Sequence, residues 1–168
     1  MSGLRIKVTR TSLIEIKDLP PLLAPNARLL GLDLGTKTIG MALSDVTRSI
    51  ATPFDTIRRT KFTADAKAIA GVIAGNGVAA LVIGLPINLD GSEGPRAQST
   101  RAFARNLAGH ISVPVVFWDE RLSTAAVERQ LLEADASRKR RAGVIDRMAA
   151  AYILQGALDR LRRIAEQR

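Results

Sequence analysis

The hydrophobic pattern becomes regular at Leu29 and predicts three consecutive β-strands. An apolar run from Leu29 ends at the carboxylate of Asp33, a turn of small residues follows, and a second apolar run covers Ile39–Leu43. Two short apolar runs joined by a glycine-containing turn are typical of a β-hairpin. A third run, Ile50–Arg58, carries Pro53 near its start, which favours an edge strand because proline cannot donate to the ladder. The pattern therefore predicts an antiparallel meander.

Helices and strands alternate after the meander. Apolar residues at helical spacing predict a helix over Phe62–Gly75, and the continuous apolar run Ala79–Gly84 is typical of a strand buried on both faces of a parallel sheet. The remaining predicted elements are a helix over Pro95–His110, a strand over Val113–Trp118, a helix over Leu122–Glu133 and a last helix from Val144 to the C-terminus. This order predicts an α/β fold with a mixed five-stranded sheet. Three antiparallel strands are followed by parallel strands through α crossovers, with helices on both faces.

The first 26 residues lack a clear pattern. Leu4–Val8 suits a short strand, and prolines interrupt Leu19–Pro25. We therefore expect residues 1–26 to form a flexible N-terminal extension. Residues 27–168 are expected to form one domain, which suits a chain of 168 residues.

Composition excludes several kinds of site. The chain has no cysteine and one histidine, so disulfides, thiolate metal sites and histidine-rich sites are not expected. The absence of cysteine fits a reducing compartment, and we expect a cytoplasmic location. No apolar run approaches the roughly 18 residues of a membrane span, and the N-terminus lacks the apolar core of a secretory signal.

The positive charge lies at the two ends of the chain. The net charge is +9, and residues 29–136 balance at eleven basic and eleven acidic side chains. Residues 1–28 carry five basic and two acidic residues, and residues 137–168 carry nine and three. Basic ends around a neutral middle favour a polyanionic partner, above all nucleic acid, although surface arginine also serves solubility.

Acidic residues stand at three comparable places in the predicted fold. Asp33 lies in the first strand, where an uncompensated carboxylate is costly to bury; a turn-capping role is the alternative. Asp119 and Glu120 end the fifth strand. Asp146 opens the last helix, on the face that small and apolar residues share; a role only as a partner of the helix dipole is the alternative.

Carboxylates that converge from these places would repel one another unless a divalent cation neutralised them. Without cysteine, that cation is expected to be Mg²⁺ or Mn²⁺ held by oxygen. Two such ions activate water and stabilise the leaving oxygen in phosphodiester cleavage. The acids and the basic ends together therefore point to a metal-dependent nuclease.

Four motifs in this order resemble the YqgF/RuvX family. They are GLDLGTKTIGMALSD, VIGLPINLDGS, the DERLS run at 119–123 and the IDRMAAAYILQ run at 145–155, and the resemblance extends from about Leu29 to Leu161. The family comprises Holliday-junction-resolvase-like proteins that are also described as pre-16S ribosomal RNA nucleases. The resemblance implies an RNase H-like fold and an endonuclease for structured nucleic acid, with maturation of the 5′ end of pre-16S rRNA as the leading expectation.

The resemblance also implies which carboxylates form the active site. They are Asp33, one or both of Asp119 and Glu120, and Asp146. Adjacent strand residues point to opposite faces, so we expect one member of the pair to face the metal, with Glu120 favoured and Asp119 in reserve.

Several polar and aromatic residues have two interpretations. Expected nucleic-acid contacts are Lys37, Arg121, Arg138, Lys139, Arg140 and Arg141. For Arg121 a salt bridge is an equal alternative, and for Lys37 a solvated turn. The loop with Asn88, Asp90 and Gly91 either shapes the rim of the site or supplies turn chemistry only. Phe117 and Trp118 are interpreted as core residues rather than base-stacking platforms.

Three other functions fit parts of the sequence. A Holliday-junction resolvase would share the fold and the metal site, and the two-fold symmetry of a junction would favour a homodimer. The Asp33–Lys37 turn also resembles the phosphate-binding hairpin of actin-like and sugar kinases, but the chain is too short for their second domain. A non-catalytic nucleic-acid-binding protein with an idle site is the third alternative.

Overall fold

The computed structural model describes residues 13–135 and 142–167. Its strands are β1 (Leu13–Ile14), β2 (Arg28–Leu34), β3 (Thr38–Ser44), β4 (Ala51–Arg58), β5 (Val78–Leu85) and β6 (Val115–Asp119). Its helices are α1 (Phe62–Gly75), α2 (Pro95–Ala108), α3 (Ala125–Asp135) and α4 (Ala142–Glu166), with short 3-10 turns at Ile16–Asp18, Pro20–Leu22 and Glu120–Leu122. No helix in these described ranges is long and apolar enough to cross a membrane.

The strands form one mixed sheet in the order β1-β6-β5-β2-β3-β4. Strands β2, β3 and β4 pair antiparallel, whereas β2–β5, β5–β6 and β1–β6 are parallel. The antiparallel meander, the parallel strands after it and the edge position of β4 are therefore confirmed. The predicted number of five strands was wrong, because Leu13–Ile14 adds a sixth strand beside β6.

Apolar residues on the two faces of the sheet form two separate cores. Helices α1 and α2 cover one face, where Ile69 and Leu107 are fully buried. Helix α4 covers the other face and contacts β2, β3, β4 and β5. The central strands β2 and β5 are buried along almost their whole length, which explains their continuous apolar runs.

Part of the predicted extension belongs to the folded body. Residues 13–26 contribute β1 and two 3-10 turns, and Leu19 is fully buried in the core on the α4 face. This segment therefore packs on the domain and does not match the expectation of a flexible arm. Residues 1–12, with the predicted strand Leu4–Val8, lie outside the described residues, and the division at residue 26 stays a prediction.

Helix α4 carries its apolar stripe as the spacing predicts. Ala149, Ala150, Ile153 and Ala157 are all fully buried; Ile153 follows Ala150 by three residues and precedes Ala157 by four. Asp146 lies on the same face one turn earlier, so the packing that buries the stripe also directs this carboxylate towards the sheet. The N-terminal end of α4 is thereby part of the site described next.

Candidate active site

Asp33 is a buried acid in the middle of the sheet. It lies near the end of β2, on the face that α4 covers, and only 5% of its side chain is exposed. Its antiparallel partner on β3 is Gly40. The adjacent residues Leu32 and Leu34 point into the core on the α1 and α2 face, so Asp33 projects from the opposite face towards α4.

The absence of a side chain at Gly40 lets α4 approach Asp33. A Cβ atom at Gly40 would lie 2.1 Å from the carbonyl carbon and oxygen of Asp146. The backbone of α4 therefore rests directly on β3, opposite Asp33, and brings the half-buried Asp146 into the site. The hydroxyl of Thr38, also on β3, donates a hydrogen bond to the Asp146 carboxylate and fixes its orientation.

Glu120 enters the same site from the end of β6, which lies on the opposite flank of β2 from β3. It follows β6 as the first residue of a 3-10 turn and is buried. A Cβ atom on Gly84 of β5 would lie 2.9 Å from a Glu120 carboxylate oxygen, Oε1. The missing side chain on the intervening strand therefore leaves the space in which Glu120 reaches towards Asp33.

Arg129 of α3 joins the two buried carboxylates. Its Nη2 donates to Asp33 Oδ1 at 2.5 Å and to Glu120 Oε1 at 2.9 Å, and its Nη1 donates to Glu120 Oε2 at 3.4 Å. Only 12% of the Arg129 side chain is exposed. The sequence analysis missed this residue, because a single arginine on a half-exposed helix has no local signature that separates it from a surface charge.

The electrostatics of the cluster follow from burial. Burial raises the pKa of Asp33 to about 7; the Arg129 charge opposes the rise, and the charges of Glu120 and Asp146 add to it. Burial also raises the pKa of Asp146, and the hydrogen bond from Thr38 opposes this rise. A group of acids with pKa values displaced by burial and by one another is typical of a functional site.

Asp119 does not belong to the cluster. Its carboxylate accepts hydrogen bonds from the Arg121 backbone N–H at 2.9 Å and from the Arg121 guanidinium at 2.8 Å, near the surface. The strand ends at Asp119 and the 3-10 turn redirects the chain, so the two acids face different surroundings. The structure thus brings Asp33, Glu120 and Asp146 together and leaves Asp119 in an ion pair with Arg121.

The structure describes some of the predicted nucleic-acid contacts and not others. Lys37 lies exposed in the β2–β3 turn next to the site. The four consecutive cations Arg138, Lys139, Arg140 and Arg141 lie outside the described residues.

The loop after β5 shows turn chemistry: Asp90 accepts from the backbone N–H and hydroxyl of Ser92, and Gly91 has a φ of 87°. Trp118 is buried, in agreement with its interpretation as a core residue.

A polar cavity of about 430 Å³ borders the same hairpin. It is lined by Arg59, Arg96 and the hydroxyl residues Thr36, Thr60 and Ser99, together with apolar side chains. Arg59 is held by its hydrogen bond to the Gly35 carbonyl at 2.7 Å. The charge of Arg96 lowers the pKa values of Asp33 and Asp146, so it lies within electrostatic reach of the cluster. The sequence analysis did not identify either arginine.

Comparison with protein families assigns the chain to a family. A family model described as RuvX, Holliday junction resolvase, matches residues 27–160. The chain belongs to the RuvX family. A relative from Paramagnetospirillum magneticum is 64% identical over 148 residues, covering 83% of this chain and 96% of the relative. A relative from Paracoccus denitrificans is 67% identical over 132 residues, covering 79% and 84%. Both relatives carry the provisional name pre-16S rRNA nuclease.

Solved structures confirm the RNase H-like fold of this RuvX family member. Thermus thermophilus RuvC bound to a Holliday junction matches with a TM-score of 0.52 at 12% identity, covering 79% of this chain and 93% of that one. The yeast mitochondrial Holliday junction resolvase matches with a TM-score of 0.51 at 14% identity, covering 90% and 85%. At these identities the likeness concerns the fold alone. The family assignment itself places the chain among nucleases that hydrolyse phosphodiester bonds.

Nucleases of this family and fold generally use divalent metals, and the donor set of the acidic cluster suits such an ion. Asp33, Glu120 and Asp146 offer only oxygen donors, as Mg²⁺ and Mn²⁺ prefer. Although the three acids converge, no group of three or more acidic or histidine side chains among residues 13–135 and 142–167 has the arrangement of a metal site. In the observed arrangement the Arg129 guanidinium lies between Asp33 and Glu120. The chemistry of the ligands fits a metal, and their present arrangement fits a guanidinium.

Proposed function

We propose that this RuvX family member is a divalent-metal-dependent endonuclease for structured nucleic acid, and that its reaction is maturation of the 5′ end of pre-16S rRNA. The convergence of the buried Asp33 and Glu120 with the half-buried Asp146, near an arginine-lined cavity, is the observation that carries the proposal. The names of the relatives supply the substrate. A role on ribosomal precursors would place the protein in the cytoplasm.

The three acids would hold Mg²⁺ or Mn²⁺, which supplies an activated water and stabilises the leaving oxygen of the phosphodiester when bound. Asp33 must be ionised to act as a ligand, and its pKa of about 7 lies close to the pH of the cell. Thr38 orients Asp146 through its hydroxyl. The buried setting of Glu120 and Asp33 excludes water that would otherwise screen their charges.

The nucleic-acid backbone would lie across the hairpin next to these acids. Arg59 and Arg96 in the polar cavity provide two cations for phosphates beside the scissile one, and Lys37 offers a third on the rim. Arg121 is occupied by Asp119, so its contribution would require exchange of that ion pair for a phosphate. The basic run 138–141 stays a prediction of the sequence.

The experiment that tests the proposal compares two labelled substrates. One is an rRNA-precursor fragment with the 5′ end of the small-subunit RNA, and the other is a four-way DNA junction; each is incubated with Mg²⁺, Mn²⁺ or chelator. Asp33→Asn is measured beside Asp55→Asn, which makes the same change on exposed β4. Metal-dependent cleavage of the RNA that only Asp33→Asn abolishes is the expected result. Equal cleavage by parent and Asp33→Asn would refute the assignment of the site.

Junction resolution is the second candidate. The description of the matching family model and the fold of RuvC both favour it. Cleavage confined to the four-way junction would establish this candidate, and the homodimer expected for a two-fold symmetric junction would then be measured as the mass of the bound species. Binding of either substrate without metal-dependent cleavage would indicate a non-catalytic binding protein.

A further inference from the structure

The guanidinium of Arg129 occupies the position at which the two most buried acids converge. Its Nη2 atom lies 2.5 Å from Asp33 Oδ1 and 2.9 Å from Glu120 Oε1, so one cationic atom contacts one oxygen of each carboxylate. A metal ion that used the same two oxygens would lie about 2.1 Å from each of them. The ion and the guanidinium therefore cannot occupy this position together.

The charge balance explains why a cation is held there. Asp33 and Glu120 are each only 5% exposed, and an unpaired buried carboxylate is strongly unfavourable. Arginine keeps its proton in proteins, so the Arg129 guanidinium is a cation that partly neutralises the two acids.

The contacts of Arg129 suit a side chain that is held by the acids alone. Its Nη atoms donate to Asp33 and Glu120. Its Nε atom is buried and has no hydrogen-bond partner among the described residues. A guanidinium built permanently into a structure would be expected to satisfy this donor as well, because an unpaired buried N–H costs free energy. Loss of the two carboxylates to another cation would therefore remove every hydrogen bond that the described residues make to the Arg129 side chain and leave the more distant charge of Asp146.

We propose that Arg129 is the resident cation of the metal-free acidic cluster and that a divalent metal ion binds by displacing its guanidinium from Asp33 and Glu120. The inference rests on the proposed metal-dependent function and adds a competitor encoded in the chain itself. Metal binding is then an exchange of one cation for another. The apparent metal affinity equals the affinity of the free acids multiplied by the fraction of molecules in which Arg129 does not contact them.

The first test measures Mn²⁺ binding to the full chain by calorimetry, with free Mn²⁺ counted by electron paramagnetic resonance. The variants are Arg129→Gln, Asp33→Asn and the matched control Arg105→Gln. Arg105 is exposed on α2, nine residues and about 14 Å along the helix from Arg96. Arg129→Gln is expected to bind Mn²⁺ at least about tenfold more tightly than the parent, whereas Arg105→Gln binds like the parent.

A second measurement keeps the test decisive if Arg129→Gln does not fold. In the parent labelled with ¹⁵N-arginine, hydrogen bonds to buried acids should slow exchange of the Arg129 Nη protons and give a resolved signal, which Arg129→Lys identifies by its loss. Saturating Mg²⁺ is expected to abolish that signal. A signal that persists with Mg²⁺ bound would overturn the proposal.

The outcomes separate this inference from the proposed function. Mn²⁺ binding that Asp33→Asn removes but Arg129→Gln leaves unchanged or weakens would refute the competition and leave the metal site intact. Binding by Arg129→Gln alone would support the competition in its strongest form. Absence of binding in the parent and in Arg129→Gln would overturn both the competition and the metal-dependent function.

Discussion

Two aspartates of the same hairpin have pKa values shifted in opposite directions. Asp33, in β2, is buried, and burial raises its pKa to about 7. Asp45, directly after β3, is exposed, and hydrogen bonds from the Ile50 backbone, the Thr47 hydroxyl and the Ser49 backbone lower its pKa to about 2. Only twelve positions separate the two residues. The first carboxylate is held in an unfavourable setting and the second in a favourable one.

The difference separates a functional acid from a structural one. Asp45 is served by donors within five residues of itself, so it stabilises the turn that contains it. Asp33 depends on an arginine 96 positions away, and this partner does not offset the cost of burial. Protein folds tolerate such a cost where activity requires it and offset it through packing elsewhere.

Replacement of Asp33 by Asn should have the largest effect and should act in opposite directions on activity and stability. Metal-dependent cleavage is expected to fall by more than about 100-fold, since loss of a group that only supports a metal ligand costs about 10- to 100-fold. Because the folded state binds a proton at Asp33 that the unfolded chain has released, this residue lowers stability progressively from about pH 4 to pH 7.

Asn carries no ionisable carboxyl group. In the presence of chelator, Asp33→Asn should therefore unfold at a higher urea concentration than the parent at about pH 8, and this difference in urea midpoint should narrow towards about pH 4. Parallel urea titrations at the two pH values measure the difference. A variant less stable than the parent at the higher pH would show that the Arg129 ion pair outweighs the cost of burial.

Gly40→Ala tests the close approach that brings Asp146 to Asp33. The new Cβ would meet the α4 backbone at 2.1 Å, so the helix must move. We expect a loss of about 3 kcal/mol or more in the free energy of unfolding, at the upper end of overpacking costs, together with loss of cleavage. Gly71→Ala is the control on α1, where the new methyl group meets nothing within 4 Å; it should stabilise the helix by up to about 1 kcal/mol.

Thr38→Val removes the hydroxyl that orients Asp146 and keeps the shape of the side chain. The pKa of Asp146 should rise further, because this hydrogen bond opposes the effect of burial. Cleavage is expected to fall about tenfold, the lower end of the losses seen when a group that orients a metal ligand is removed. Thr38→Ser restores the hydroxyl and should recover most of the activity. Equal losses in both variants would indicate a packing role for the residue instead.

Asp45→Asn should have the smallest effect and no effect on cleavage. Since the folded-state pKa is lowered to about 2, the stabilisation from the Asp45 carboxylate is present above about pH 4 and is lost as the pH falls through about 2. The parent should therefore be slightly more stable than the variant at neutral pH, and the two should converge in acid. Thermal unfolding across this range measures the difference. Reduced cleavage in the variant would place Asp45 in the site.

Local patterns anticipated much of the fold because they report local geometry. The spacing of apolar residues predicted α1 over Phe62–Gly75, and the structure has the same bounds. The face of the last helix was predicted for the same reason: the spacing of Asp146, Ala149 and Ile153 follows the turn of the helix and places all three on one face. The short strand β1 escaped prediction because two residues are too few to show an alternation.

The candidate site likewise has features that local sequence indicates and features that depend on long-range contacts. The sequence pointed to acids in elements that meet at one sheet, because a carboxylate inside an apolar strand or on a packed helix face is locally anomalous, and it favoured Glu120 over Asp119. The ion pair of Asp119 with Arg121, the space left by Gly84 and Gly40 and the contacts of Arg129 with the acids became known from the folded structure. These contacts join positions far apart in the chain, and the free energy of such a contact leaves no periodic trace in the residues that make it.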